Sequence, residues 1–248
     1  MNYRQNNRIN TPKLPHPHTP TRCGVWVLTF ALLLILGRGE AASLSARQIL
    51  EKASKNFEVI SDYTTNVNVT VDSPSVHMKD MRATVYYKSP DKLHVDSKEG
   101  FAMLPRKGLM IGNPLRALMD SSDLFLKGSE RVLGNDCYVV KASMKKDGIG
   151  PEATVWIDKS VSLIRQMVVK PEVGPTVTLN LWYSRVGGKY WMPTSTTAKM
   201  LIQAPEARRF HKEKPGPGQP MVVKIKFSDY KVNTGLSDKI FQDQGGKH

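Results

Sequence analysis

The chain has 248 residues, which bounds it at one domain or two. Its 36 Lys/Arg against 22 Asp/Glu give a net charge of +14, a surplus that favours anionic partners such as phospholipid head groups, nucleic acid or an acidic protein. There are two cysteines, Cys23 and Cys137, and the first lies in the N-terminal leader, so an intrachain disulfide framework is excluded.

The leader comes first. Residues 23–36, "CGVWVLTFALLLIL", carry no charge, follow Arg22 and precede the small-residue run "GRGEAAS". A positive region, an apolar region and a cleavage zone in that order predict a secretory signal peptide. A membrane-spanning helix needs about 20 apolar residues, which this run does not reach. Cleavage is expected after Ala41, or alternatively after Ser43. Residues 1–41 are therefore expected to be a signal peptide with a long polar N-terminal extension, the alternative being an uncleaved anchor, and residues 42–248 a single secreted domain. Five bases and one acid lie in residues 1–41, so the mature part keeps 31 Lys/Arg against 21 Asp/Glu and is basic in its own right. Cys23 precedes the apolar run and is not placed for lipidation after signal removal.

A helix opens the mature chain. In "SARQILEKASKNFEVI", Ser45 and Gln48 have the capping-box spacing. Ala46, Ile49, Leu50, Ala53, Phe57 and Ile60 then recur every three or four residues and form one apolar stripe. Such a stripe suits a helix packed on a core and a lid over a cavity equally well.

After residue 62 the period becomes two. Strands are predicted at 66–71, 82–97 (two strands around a Ser-Pro-Asp turn), 136–142, 153–158, 162–169, 176–184, 189–201 and 221–232, with one or two short helices at 113–125. Turn signals such as Gly187-Gly188 and Asp158-Lys159-Ser160 separate them, so the sheet is expected to be antiparallel with consecutive strands paired. Val177, Leu179, Leu181 and Tyr183 share one face of their strand, as do Val223, Ile225 and Phe227. About nine strands and one long helix leave a large apolar concave face, which either fills as a barrel core or holds an apolar ligand.

Catalytic chemistry finds no support. No HExxH, CxxC, GxSxG, P-loop or GxGxxG pattern is present, and the histidines lie in unrelated contexts. Cys137, in a strand after a turn, reads as a buried inert thiol. Asp158 reads as a turn residue. The stretch 207–220 holds Arg208, Arg209, Lys212 and Lys214 in a long loop, either as a solvated charge run or as a contact for an anionic surface. An enzyme, a metal and a cofactor are not expected.

The signal peptide, the amphipathic helix and the stretches "VYYKSPDKLHVD", "GGKYWMPTSTTAKM" and "FSDYKVNTGLSDKIF" together resemble the LolA-like superfamily, and within it the outer membrane lipoprotein-sorting proteins. The resemblance spans nearly all of residues 44–243. It implies an unclosed antiparallel β half-barrel, covered by the N-terminal amphipathic helix and short helices, around an apolar cavity for acyl chains. It also implies that Leu236, Ile240 and Phe241 plug one edge of the half-barrel behind its last strand. Cavity residues are then expected to be Leu50, Phe57, Leu179, Leu181, Tyr183, Ile225 and Phe227, with Arg208, Arg209, Lys212 and Lys214 docking on an anionic membrane. Carriers of this kind bear an arginine just before the early Ser-Pro turn's proline that helps latch the lid; here Ser89 stands there, with Lys88 beside it. The expected function is a periplasmic carrier of acylated lipoprotein or lipid that meets donor and acceptor membrane proteins and binds no nucleic acid. The alternatives are a non-transport sensor or adaptor of the same fold and a basic secreted module that binds polyanions.

Overall fold

The computed structural model describes residues 44–74, 80–97, 112–144, 150–202 and 218–242. The leader 1–41, its cleavage sites, and Arg208, Arg209, Lys212 and Lys214 lie outside the described residues.

Helix α1 spans Ala46–Glu58 and starts with the reciprocal cap that its sequence predicts. Gln48 N–H donates to Ser45 Oγ at 3.2 Å, and Ser45 N–H donates to Gln48 Oε1 at 2.8 Å. Its apolar stripe is the buried one, with Ile49, Leu50 and Ala53 inside. Ten strands follow: β1 Asp62–Asp72, β2 Met81–Lys88, β3 Lys92–Asp96, β4 Asp123–Val132, β5 Asn135–Ser143, β6 Glu152–Asp158, β7 Ile164–Lys170, β8 Val177–Val186, β9 Tyr190–Ile202 and β10 Gln219–Val232. A second helix, α2, Pro114–Ser121, lies between β3 and β4, and a 3₁₀ turn, Asp238–Phe241, follows β10. Gly187 and Gly188, at φ 58° and 69°, open the three-residue β8–β9 turn in the left-handed conformation that glycine adopts at least cost.

All ten strands form one sheet in the order β3-β2-β1-β10-β9-β8-β7-β6-β5-β4, antiparallel throughout. Among the described residues this order is a circle broken once, between β3 and β4. The chain segment joining those two edges contains α2. The fold is thus an unclosed β half-barrel with helices.

One strand escapes the sequence pattern. The stretch 113–125 was expected to be helical and the next strand to begin at 136; instead α2 ends at Ser121 and β4 runs from Asp123 to Val132. β4 is an edge strand, exposed along most of its length, with Phe125 at 51%. With little burial on either face, nothing in its side chains alternates.

Alternation elsewhere sorts the sheet's faces. Val67, Val69, Val85, Val140, Val155, Ile157, Leu179, Leu181, Val223 and Ile225 join Ile49, Leu50 and Leu115 from the two helices in one apolar cluster on the concave side. Lys224 and Lys226 point away from it.

Candidate functional site

The helices rest on the concave face mainly through apolar area. Burying Ile49 and Leu50 alone is worth about 3–6 kcal/mol at the usual value per side chain. Polar contacts then fix the helix rim. Asn56 on the last turn of α1 donates from Nδ2 to the carbonyls of Ser162 (2.8 Å) and Val161 (3.3 Å). Arg47 Nη2 donates to the Met119 carbonyl at 2.8 Å, and Asn113 Nδ2 to Ser54 Oγ at 2.6 Å. Each such bond contributes about 1 kcal/mol net.

The β6–β7 turn that receives Asn56 is built by Asp158. This carboxylate is 2% exposed. It accepts hydrogen bonds from Ser160 N–H (2.8 Å) and Oγ (2.6 Å) and from Arg165 Nε and Nη2 (2.9 and 2.8 Å). Burial pushes its pKa up, but the bonds from Ser160, Arg165 and the Val161 amide outweigh burial and hold the carboxyl below its ordinary value. A residue that suits a turn locally is therefore also the buried anchor of the turn that receives α1.

The C-terminal stretch is tied at three points. Asn233, at φ 57°, accepts from Ser61 N–H at 2.7 Å and donates to the Val59 carbonyl at 2.9 Å. Asp62, buried at 3%, accepts from the amides of Thr234 (2.8 Å) and Gly235 (3.0 Å). Lys88 Nζ reaches the Leu236 carbonyl and Asp238 Oδ1, both at 2.8 Å, and Lys92 adds a second contact to Asp238 at 3.1 Å. Lys88 is thus the base beside Ser89, and it clasps the tail. Leu236, Ile240 and Phe241 are each half-buried, and the 3₁₀ turn lies against β3, the edge of the sheet.

The expected cavity residues take three positions. Leu50, Leu179, Leu181 and Ile225 are buried in the packed apolar cluster. Phe227 lies at its margin, stacked on Tyr230 with ring centroids 6.3 Å apart. Phe57 and Tyr183 line a small, partly open space of about 40 Å³ at the C-terminal end of α1. The other walls are Ile60, Tyr63, Tyr87, Leu163, Trp191 and neighbours, from α1, β1, β2 and β9 and the turn before β7. This volume suits a water or two, not an acyl chain, since drug-sized ligand sites run to several hundred Å³. The concave face is therefore filled in this conformation, and occupancy by a chain requires α1 to lift.

Tyr183 stands apart on this wall. Its hydroxyl oxygen is buried and has no hydrogen-bond partner among the described residues. Burial holds its proton on well beyond the ordinary tyrosine range. The Tyr87 hydroxyl, by contrast, donates to the Pro90 carbonyl at 3.0 Å. Sequence reasoning missed Tyr63, Tyr87 and Trp191. They lie on separate strands, and only the pairing of β1 with β2, which sets Tyr63 opposite Tyr87 with rings 5.1 Å apart, brings them together.

A larger depression, about 1170 Å³, opens on the opposite face of the sheet. Asn66, Asn68, Arg82, Thr84, Ser195 and Lys226 line it, alternating along their strands with the buried Val67, Val69, Ala83 and Ile225. Val67, Ala83 and Phe227 add apolar area, so its lining is mixed. Among the described residues no group of three or more His, Cys, Asp or Glu is placed to hold a metal ion. Cys137 is fully buried, and burial pushes its thiol pKa up, away from the thiolate a nucleophile needs.

A LolA superfamily protein from Nitrosomonas europaea matches this chain with a TM-score of 0.55 at 16% identity, over 80% of this chain and 98% of that one. The fold is LolA-like. A DUF1329 family protein from Desulfovibrio piger matches over the same shares of the two chains, at 0.54 and 16% identity. No family model and no curated protein matches at the sequence level. At such identity the likeness concerns architecture, and the LolA-like architecture hosts more than one role.

Proposed function

We propose that this protein binds acyl chains of lipid or lipidated protein in the bacterial periplasm and carries them between membranes, with no catalysis. The observation that supports it best is an amphipathic helix lying on a concave apolar sheet, with an aromatic-walled space beneath its last turn. The energetics are favourable. Burying a methylene gains about 0.8 kcal/mol, so roughly fifteen of them gain about 12 kcal/mol. That exceeds the sum of about 3–6 kcal/mol from Ile49 and Leu50 and about 1 kcal/mol from each rim hydrogen bond, which α1 gives up when it lifts. A chain can therefore take the place of the helix's apolar face.

On this reading residues 1–41 are a cleaved signal peptide and residues 42–248 the carrier domain. Leu50, Phe57, Leu179, Leu181, Tyr183, Ile225 and Phe227 face the bound chain once α1 moves. Arg208, Arg209, Lys212 and Lys214 dock on the anionic membrane surface, where donor and acceptor proteins are met. The reading is tested by native mass spectrometry of the protein purified from its own envelope fraction. A co-purifying acylated species is expected. Absence of any bound lipid, together with failure to bind an apolar fluorescent probe, would overturn it. Cargo that stays bound and never passes between two populations of vesicles would turn the reading to a sensor or adaptor.

A further inference from the structure

We propose that the Tyr183 hydroxyl is the polar anchor for an uncharged acyl carbonyl, an ester or an amide, at the head of a chain admitted between α1 and the sheet. This rests on the acyl-binding reading and adds the chemistry of the group at the chain's head.

Three observations meet at the small space under the last turn of α1. First, its walls are aromatic and aliphatic, with no charged side chain among the described lining residues. Second, the Tyr183 hydroxyl on that wall is buried and unpartnered among the described residues. A buried donor left unpaired loses its water without recovering a bond, so an acceptor brought by a ligand recovers what folding gave up. Third, two neighbouring donors are already engaged. Asn56 Nδ2 is spent on Val161 and Ser162, and the Tyr87 hydroxyl on Pro90. The Arg165 guanidinium, 6.0 Å from the Tyr183 ring, is neutralised by its two bonds to Asp158.

These facts select the ligand group. A hydroxyl that stays protonated donates and suits a carbonyl oxygen. A free carboxylate here would lose its hydration, while the guanidinium facing the Tyr183 ring is already paired with Asp158, which is unfavourable. An ester or amide carbonyl carries no such charge. The site therefore favours chains already esterified to glycerol or linked to an amine over free fatty acid.

The test compares three probes of equal chain length on the folded protein: a fatty acid methyl ester, the free acid at neutral pH and the alkane. Each displaces a fluorescent apolar dye from wild type and from Tyr183→Phe. Wild type should favour the ester over the alkane by about three- to tenfold, the worth of one hydrogen bond, and should bind the acid more weakly than the ester. Tyr183→Phe should bind the alkane as wild type does and lose the preference for the ester. Its melting temperature should be unchanged or higher, since it removes an unpaired donor. Equal ester binding by the two proteins, or tighter binding of the acid, overturns the anchor and leaves the carrier reading standing. If wild type displaces dye with none of the three, both readings fail.

Discussion

Asp158 is the residue on which the polar framework converges. It is buried, accepts from Ser160, Arg165 and the turn amides, and so shapes the loop that Asn56 grips. Its folded pKa lies below the ordinary carboxylate value. The unfolded chain therefore binds more protons as the medium is acidified, and stability falls with falling pH. The contribution is complete above the unfolded pKa, about 4, and is lost as pH drops through the lower folded value. Asp158→Asn leaves the Arg165 guanidinium, 15% exposed at its side chain, without its counter-charge. We expect a loss of about 3 kcal/mol in urea unfolding near neutral pH. The variant should also show a flatter stability profile below pH ~4. Identical acid profiles for the two proteins would show that this carboxylate is not a source of acid sensitivity.

At the scale of elements, α1 is held by two kinds of force that mutation can separate. Leu50 is fully buried, so Leu50→Ala should cost about 2–5 kcal/mol and lower the melting temperature of the whole domain. Asn56→Ala removes only the rim contact to the β6–β7 turn, worth about 1 kcal/mol per bond. Its effect should be local: amides in the last two turns of α1 exchange several-fold faster, while global melting moves little. Unchanged exchange in α1 would mean that the helix is pinned by its apolar face alone. The elements themselves differed in how far sequence revealed them. α1 and nine strands were legible because burial on one face imposes a period on their side chains. β4 was not, since an exposed edge strand is held by backbone hydrogen bonds that any side chain permits. The apolar residues of the concave face were legible for the same reason of period. The aromatic wall of Tyr63, Tyr87 and Trp191 was not, because strand pairing alone brings it together. That the concave face is filled, too, depends on how two helices fit a curved sheet, which no local pattern encodes.

For the whole molecule the proposed carrier role raises the question of how a strongly basic chain meets a membrane. The sheet is broken only between β3 and β4, whereas β9 and β10 lie side by side in the middle of the strand order. Their pairing runs from Ile202 with Gln219 to Ser195 with Lys226. The β9–β10 ladder is therefore complete up to Ile202 and Gln219 and lies away from both edges of the sheet. Replacing Arg208, Arg209, Lys212 and Lys214 together with Gln should accordingly leave the melting temperature close to wild type, as surface changes usually do. Vesicle binding should respond differently. A base near an anionic surface contributes about 1 kcal/mol, so the loss of four weakens binding by up to several hundredfold, or about 4 kcal/mol. Screening shortens the reach of exposed charges to about 10 Å at 0.1 M salt, so the difference should be largest at low salt and shrink as salt is added. The measurement is co-sedimentation with vesicles rich in anionic phospholipid, across a salt series, for both proteins. If the four-Gln variant binds as tightly as wild type at low salt, the docking role passes from this loop to the remaining bases of a chain whose net charge is +14.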